Sequence, residues 1–413
     1  MDARLVTGIL HDRTPRRNAG PGPPGWRVPS RRPMARLLPL LVVLALAACE
    51  ASPDSAAPPA SASGSADDRA EGADRSDGPT ATGGLSLVLP TDNRALLDGR
   101  PEDFYMGLNM TVDSLRPERW EGGQYGYVRD AVKTVFGRRT FRRVHEGLDI
   151  APVGRDGRGD PVDSVRAIDR GRVAYVNASA GASSYGKYVV VEHDWSDSPV
   201  YSLYAHLAET YVTAGEAVDQ SEPLGKMGFT GRGLGRSRAH VHLEIALMVN
   251  QHEPLWFAEY FGGNDLHGRF FGTNLAGVPP AELYLALEAD PGLTFPEFIR
   301  SLDEGYVIDL PGGRPLDLIE RYPWLGAEAA AADPASVPAW RIVFTQEGAP
   351  IRVEVGPEPV DRPTVEGVSL STWLTDGSTN RMLQRRGFGY EPARRGYSYF
   401  ALYATTSDGA PRW

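Results

Sequence analysis

Between residues 144 and 247, apolar and polar positions alternate in short runs that glycines separate. β-Branched and aromatic residues dominate these runs, which is typical of strands half buried in a sheet. The runs lie at 162–167, 171–176, 187–193, 201–206 and 242–248. Because glycine favours tight turns, the residues between the runs read as connections between neighbouring strands. The pattern predicts a mainly β fold, with a compact antiparallel sheet that is partly closed.

The last third of the chain predicts a smaller region of mixed structure. Over 279–302, apolar residues recur at helical spacing, interrupted by Asp290-Pro291-Gly292. The segments 340–355 and 397–405 carry the β-rich pattern of strands. We therefore expect residues 263–413 to form an α+β accessory region.

The first 48 residues predict a secretory signal rather than a part of the fold. An apolar run at 37–48 follows Arg36 and ends in Leu-Ala-Ala before Cys49, the one cysteine of the sequence. A buried helix or a membrane span is the alternative, but the run falls short of the roughly 20 residues that a bilayer requires. The ending resembles the bacterial lipobox, which implies cleavage before Cys49 and lipidation of its thiol. Met34 begins an ordinary short signal, so we expect translation to start there.

Two segments connect this signal to the predicted sheet. Residues 49–84 are rich in Ala, Ser, Pro, Gly and Asp, a composition that cannot bury enough apolar surface to offset the entropy of ordering. They predict a disordered linker between the lipid and the folded part. Residues 85–143 contain aromatic patches and a helical pattern near 127–135. We interpret them as an N-terminal extension of the β-domain.

The charge balance argues against nucleic-acid binding. The chain has a formal net charge of −10, and removal of residues 1–48 leaves 35 basic and 51 acidic residues, a net charge of −16. A broad basic face for nucleic acid is therefore not expected. Four arginines of the accessory region could face anionic wall polymers, although a solvated surface is the simpler interpretation. They are Arg385, Arg386, Arg394 and Arg395.

Half of the eight histidines fall in three short motifs. The motifs are His145-Glu146-Gly147-Leu148-Asp149, Tyr204-Ala205-His206-Leu207 and His240-Val241-His242-Leu243-Glu244. On a strand, His240 and His242 project from the same face and can reach one site. His145 and Asp149 would share one face of a helix, but Gly147 favours an extended or bent segment instead. Imidazole and carboxylate groups in this number suit a catalytic zinc site, which keeps one position open.

In their order and spacing, these motifs resemble those of lysostaphin-type (LytM-like) zinc metallopeptidases, a peptidoglycan endopeptidase family. The resemblance covers residues 144–248 and includes the glycine-rich turn around Gly228. It implies that His145, Asp149 and His242 bind Zn²⁺, and that His206 and His240 are catalytic, with the general base left open between them. The family's Gly-Pro before the last motif is replaced by Ser237-Arg238-Ala239, without loss of an implied ligand.

The resemblance places a metallopeptidase domain at 144–262 and implies hydrolysis of peptide cross-links in peptidoglycan. With lipidated Cys49, the protein would be a membrane-anchored lipoprotein facing the periplasm. An envelope protein could bind the C-terminal region. A non-catalytic murein-binding or amidase-activating relative is the alternative, and a peptidase of secreted peptides is a third. Glu146 is a less favoured candidate base, and Glu244 either orients a neighbouring histidine or simply lies on the strand.

Overall fold

A computed structural model describes residues 84–108, 118–126, 130–133, 139–142, 144–370, 372 and 382–413. The backbone alone is described for 130–133 and 139–142. The predicted signal, Cys49 and nearly all of the predicted linker lie outside the described residues.

Short strands make up most of the regular structure, in agreement with the predicted mainly β class. In chain order the strands are β1 Asp130–Lys133, β2 Arg139–Arg142, β3 Leu148–Ile150, β4 Ser164–Arg166, β5 Gly171–Asn177, β6 Lys187–Asp194, β7 Pro199–Leu207, β8 Glu209–Thr210, β9 Ala217–Val218, β10 Pro223–Lys226, β11 Val241–Met248, β12 Leu275–Val278, β13 Tyr306–Pro311, β14 Ala339–Phe344, β15 Pro350–Gly356, β16 Thr364–Val368, β17 Leu383–Arg386 and β18 Gly389–Pro392. The α-helices are α1 Pro101–Phe104, α2 Glu253–Tyr260, α3 Pro280–Ala289, α4 Phe295–Ser301, α5 Asp317–Arg321, α6 Ala327–Ala331 and α7 Arg394–Tyr403. All five runs predicted between residues 162 and 248 correspond to strands, namely β4, β5, β6, β7 and β11.

The largest sheet carries the histidine motifs. Its strand order is β12-β11-β7-β6-β5-β9, and β3 pairs with β11 beside this path. All of its pairs are antiparallel and the sheet is open. Along β6, Val189 and Val191 pack into the main core on one face, whereas Tyr188 and Val190 pack into a second apolar cluster on the other. Both faces of the sheet are therefore covered, which holds its strands in a fixed register.

The C-terminal region combines a second open sheet, of order β15-β14-β13-β16, with short helices. The helical pattern over 279–302 is confirmed as α3 and α4, which Asp290-Pro291-Gly292 separates. At the start of α4, Thr294 and Glu297 form a reciprocal capping box. The region shares the main core with the β-domain. β12, which precedes its helices, is the outer strand beside β11.

Two local predictions are wrong. The segment predicted as a strand at 397–405 is mostly α7, in which every residue from Tyr399 to Tyr403 is buried, so packing on several sides stabilises a helix there. The helical pattern near 127–135 is contradicted by β1, which pairs with β2. In both segments the local pattern was short, and pairing or packing with the rest of the chain decided the conformation.

Candidate metal centre

The motif residues Asp149 and His242 meet where β3 and β7 lie on either side of β11. In the register of these strands, His242 lies opposite Asp149 on one side and Ala205 on the other. Directly opposed residues point to the same face of a sheet, so His242 and Asp149 face one space. Gly147 allows this arrangement, because a Cβ atom at that position would lie 2.2 Å from the carbonyl oxygen of Leu243. The first motif is thus extended and pressed against β11, as its glycine indicated.

The ligating atoms of His145, Asp149 and His242 all lie within 4.8 Å of one another, a spacing that could hold a metal ion. His145 Nε2 is 2.9 Å from Asp149 Oδ1 and 3.0 Å from His242 Nδ1. His242 Nδ1 is 2.9 Å from the same carboxylate oxygen. All three side chains are buried. Two imidazoles and one carboxylate form a donor set that suits zinc, so the residues present fit the metal.

Each imidazole of this trio is oriented through its second nitrogen. His145 Nδ1–H donates to the backbone carbonyl of Gln124 at 2.7 Å, so Nε2 is the nitrogen that faces Asp149 and His242. His242 Nε2–H donates to Glu244 Oε1 at 2.9 Å, which leaves Nδ1 free. The hydroxyl of Tyr185 donates to the same oxygen of Glu244, and its ring stacks on His242. A carboxylate behind a ligating histidine fixes its tautomer and raises its basicity.

His206 reaches the site through an irregularity in β7. Between Lys187 and Val189 of β6 the pairing shifts, so that β7 carries one extra residue before Leu207. His206 itself has a φ of +64°, in the left-handed region that non-glycine residues rarely adopt. Regular alternation would turn His206 away from the face that Ala205 and His242 share. The bulge redirects its ring, which lies 4.7 Å from that of His240 and 6.0 Å from that of His242.

Backbone carbonyls orient both of the additional histidines. His206 Nδ1–H donates to Thr230 at 2.9 Å, and His240 Nδ1–H donates to Arg238 at 2.6 Å. The segment that departs from the family pattern therefore supplies the acceptor for His240. His240 Nε2 lies 3.2 Å from Asp149 Oδ1.

Burial and mutual charge shift the ionisation of this cluster. Burial alone would raise the pKa of Asp149, but the nearby His145 and His240 hold it well below its usual value. Burial, followed by repulsion from His240 and His242, lowers the pKa of His206 well below 6.5. Burial lowers the pKa of His242, yet its hydrogen bonds to Asp149 and Glu244 raise it to about 9. These two carboxylates therefore favour positive charge at the centre of the trio.

The cluster opens into a cleft of about 220 Å³. His206 and His240 line it with the trio, as do Glu146, Ser184 and Arg232. Tyr204, by contrast, lies in the core, where its hydroxyl accepts hydrogen bonds from the Ile168 N–H and the Ser202 hydroxyl. The structure thus brings together all five predicted site residues.

Three other residues support the site, and the sequence indicates them to different degrees. Glu244 belongs to the third motif, and its contact with His242 agrees with the first of its two interpretations. Gln124 acts through its backbone carbonyl, which leaves no trace in residue type. Tyr185 precedes the loop glycine Gly186 in a segment that matches the family, but nothing local indicates that its hydroxyl reaches Glu244.

The family match covers the same part of the chain. Residues 143–254 match the model of Peptidase family M23. No curated protein matches the chain. Among solved structures, a mutant catalytic domain of the prophage-encoded M23 protein EnpA from Enterococcus faecalis is 22% identical, covering 30% of this chain and 87% of that one, with a TM-score of 0.21.

Two further structures are similar at the same level. The catalytic domain of lysostaphin from Staphylococcus simulans is 21% identical and covers 31% of this chain and 83% of that one, with a TM-score of 0.21. A zinc-containing peptidase from Vibrio cholerae is 24% identical. The match covers 34% of this chain and 37% of that one, with a TM-score of 0.20. The family match, rather than these low scores, confirms the resemblance to lysostaphin-type peptidases, and it places the similarity to peptidase family M23 at residues 143–254.

Proposed function

We propose that the protein is a zinc-dependent endopeptidase that hydrolyses peptide cross-links of peptidoglycan. The observation that carries this proposal is the convergence of a buried His-Asp-His trio with two histidines whose Nδ1 atoms contact backbone carbonyls. His145, Asp149 and His242 would hold the ion. Bound there, zinc supplies Lewis acidity for the scissile carbonyl and makes water more acidic.

The chain's own groups account for the remaining chemistry. His206 or His240 accepts a proton from the attacking water at Nε2, because the Nδ1–H of each ring is tied to a backbone carbonyl. The other imidazole of the pair steadies the charge that develops on the substrate oxygen. His240 is buried and His206 is partly buried, which strengthens these interactions relative to those in bulk water. Glu146 lines the same cleft and is the next candidate for the base.

A non-catalytic murein-binding or amidase-activating protein is the second candidate. Such a protein has no need of a complete ligand set with positioned acid–base groups. Here the trio is intact, and the carboxylate of Glu244 accepts a hydrogen bond from its member His242. This completeness supports the enzyme, since an intact ligand set is what water activation requires.

A digestion assay separates these possibilities. Purified protein is incubated with intact sacculi and, in parallel, with unrelated soluble peptides, before and after chelation and zinc restoration. We expect zinc-dependent release of wall peptides and little cleavage of the unrelated peptides. Binding to sacculi without release would support the non-catalytic alternative, and cleavage of the soluble peptides alone would support a peptidase of secreted peptides.

We further propose that lipidated Cys49 anchors the protein to the membrane, facing the periplasm. The Leu-Ala-Ala-Cys ending and the linker composition support this proposal. Within the described residues, no helix has the length and apolar character of a membrane span. Cys49→Ala should abolish labelling by a palmitate probe in cells. Persistent labelling of that variant would contradict the lipobox interpretation.

A further inference from the structure

A second cavity, of about 250 Å³, continues from the metal-site cleft. Glu146, Ser184 and Tyr185 line both spaces, so a substrate at the metal centre could extend into the second cavity without leaving the protein surface. Its volume is below the roughly 300–1,000 Å³ of typical small-molecule sites. The cavity therefore suits a single branch of a peptide rather than a whole substrate.

Part of the lining of this cavity comes from the C-terminal region. Glu347 lies in the turn between β14 and β15, and Arg395 lies in the first turn of α7. Neither belongs to the segment that matches the M23 family, which ends at residue 254. The part of the molecule without a sequence motif thus contributes directly to the surroundings of the candidate active site.

The packing of α7 fixes the position of this part of the lining. Gly396 lets the helix approach β17, because a Cβ atom there would lie 2.0 Å from the carbonyl oxygen of Met382. The indole N–H of Trp256 donates to the carbonyl of Ser398 at 2.6 Å. Arg395 is therefore presented from a helix that is held on both sides, and its location relative to the β-domain is well defined.

The cavity contains groups of both charges. The acidic residues Glu146 and Glu347, from two different parts of the chain, line it together with the basic residue Arg395. Among the described residues, the Arg395 side chain has no hydrogen-bond or ion-pair partner, whereas nearby Arg386 pairs with Glu391 at 2.7 Å. A planar guanidinium that is free to bind is suited to a carboxylate ligand. The two glutamates suit an ammonium group.

We infer that this cavity is a subsite for a substrate branch that ends in both an ammonium and a carboxylate group, with Arg395 binding the carboxylate and the glutamates facing the ammonium. The inference rests on the proposed function for the identity of the substrate. It adds that the C-terminal region selects the branch beside the scissile bond. Arg395 would be a specificity residue, since it touches the branch and not the metal centre.

A matched set of synthetic peptides tests the subsite. The parent peptide has a wall-type scissile bond and one diaminodicarboxylic acid residue, whose side chain ends in an amino-acid zwitterion. One derivative has the side-chain carboxylate amidated and another has the amine acetylated. For the parent, Arg395→Gln should raise KM about tenfold or more through loss of a charge-assisted hydrogen bond, with kcat and zinc content unchanged. The same variant should barely affect the amidated derivative.

Arg394→Gln is the control, because Arg394 is exposed on the same turn but does not line this cavity. It removes one positive charge from the same surface and should leave every KM unchanged. Glu347→Gln should weaken the preference for the free amine over the acetylated derivative. Melting temperatures of all variants show whether the fold is retained.

Binding of the isolated zwitterionic residue, measured by calorimetry, separates this inference from the proposed function. Arg395-dependent binding without any cleavage would retain the subsite and overturn the endopeptidase. Cleavage that ignores amidation of the branch and the Arg395 substitution would retain the endopeptidase and overturn the subsite. Absence of both cleavage and binding would overturn both.

Discussion

The candidate metal ligands and the two additional histidines share one cleft, yet different kinds of backbone position them. Asp149 and His242 lie opposite each other on regularly paired strands. His206 lies on a bulge and His240 immediately before a strand, and both depend on backbone carbonyls of loops. Regular pairing thus fixes two of the three groups suited to metal binding, whereas irregular backbone aims those suited to proton transfer. The two sets should therefore respond differently to substitution.

The largest effect is expected at the trio. Replacing His145, Asp149 or His242 with Ala should remove both bound zinc and hydrolysis, because each variant leaves a three-ligand site one ligand short. Metal analysis and sacculus digestion on the same preparations measure the two properties. His252→Ala, at a partly exposed position outside the cleft, serves as the control and should retain both. Full zinc occupancy in the three variants would contradict the assignment.

Substitution of the additional histidines should separate catalysis from metal binding. His206→Ala and His240→Ala should retain zinc but lose about 10²–10⁴-fold in rate, the usual contribution of a general acid or base. Loss of zinc from either variant would make that histidine a ligand and remove the distinction between the two sets. Near-normal turnover would assign it a structural role and direct attention to Glu146.

A smaller effect is expected at the carboxylate behind His242. Glu244→Gln keeps the shape of the side chain but removes its charge, so zinc affinity should fall by about 10–100-fold. Competition with a chelator of known affinity measures this change. Glu192→Gln, at an exposed position on β6 of the same sheet, is the matched control. Unchanged affinity in Glu244→Gln would mean that strand pairing alone orients His242.

The smallest effect is expected at Tyr185, whose hydroxyl contacts Glu244. Tyr185→Phe removes the hydroxyl that donates to Glu244 but keeps the ring stacked on His242. A single hydrogen bond contributes about 1 kcal/mol, so zinc affinity should weaken by about fivefold. The same chelator competition applies. A loss as large as that of Glu244→Gln would show that the carboxylate acts only when the hydroxyl orients it.

The sequence predicted much of the sheet because strand alternation and glycine turns are local signals. The motifs likewise indicated the five residues that the structure brings together. Two features of the site were beyond prediction from the sequence. The bulge at His206 depends on how β7 pairs with β6, and the acceptor of His145 is a main-chain atom of Gln124. Neither leaves a pattern in residue type.

The C-terminal region illustrates the same limit more strongly. The segment around Tyr397 to Thr405 is rich in aromatic residues, which favour strands in isolation. Its conformation is decided by packing instead, because Gly396 allows a helix to lie against the Met382 carbonyl. Long-range contact overrides weak local preference where no motif restricts the choice.

The hydrogen bond from His145 to Gln124 has a consequence for how the protein can be divided. Gln124 precedes the residues that match the M23 family, so a fragment cut at residue 143 would keep three ligands and lose the group that orients one of them. Such a fragment would also expose apolar surface that Tyr105 and Phe104 now cover. The unit that keeps this orientation of His145 is therefore larger than the segment that matches the family, and we expect a fragment of residues 143–254 to bind zinc more weakly than the intact chain.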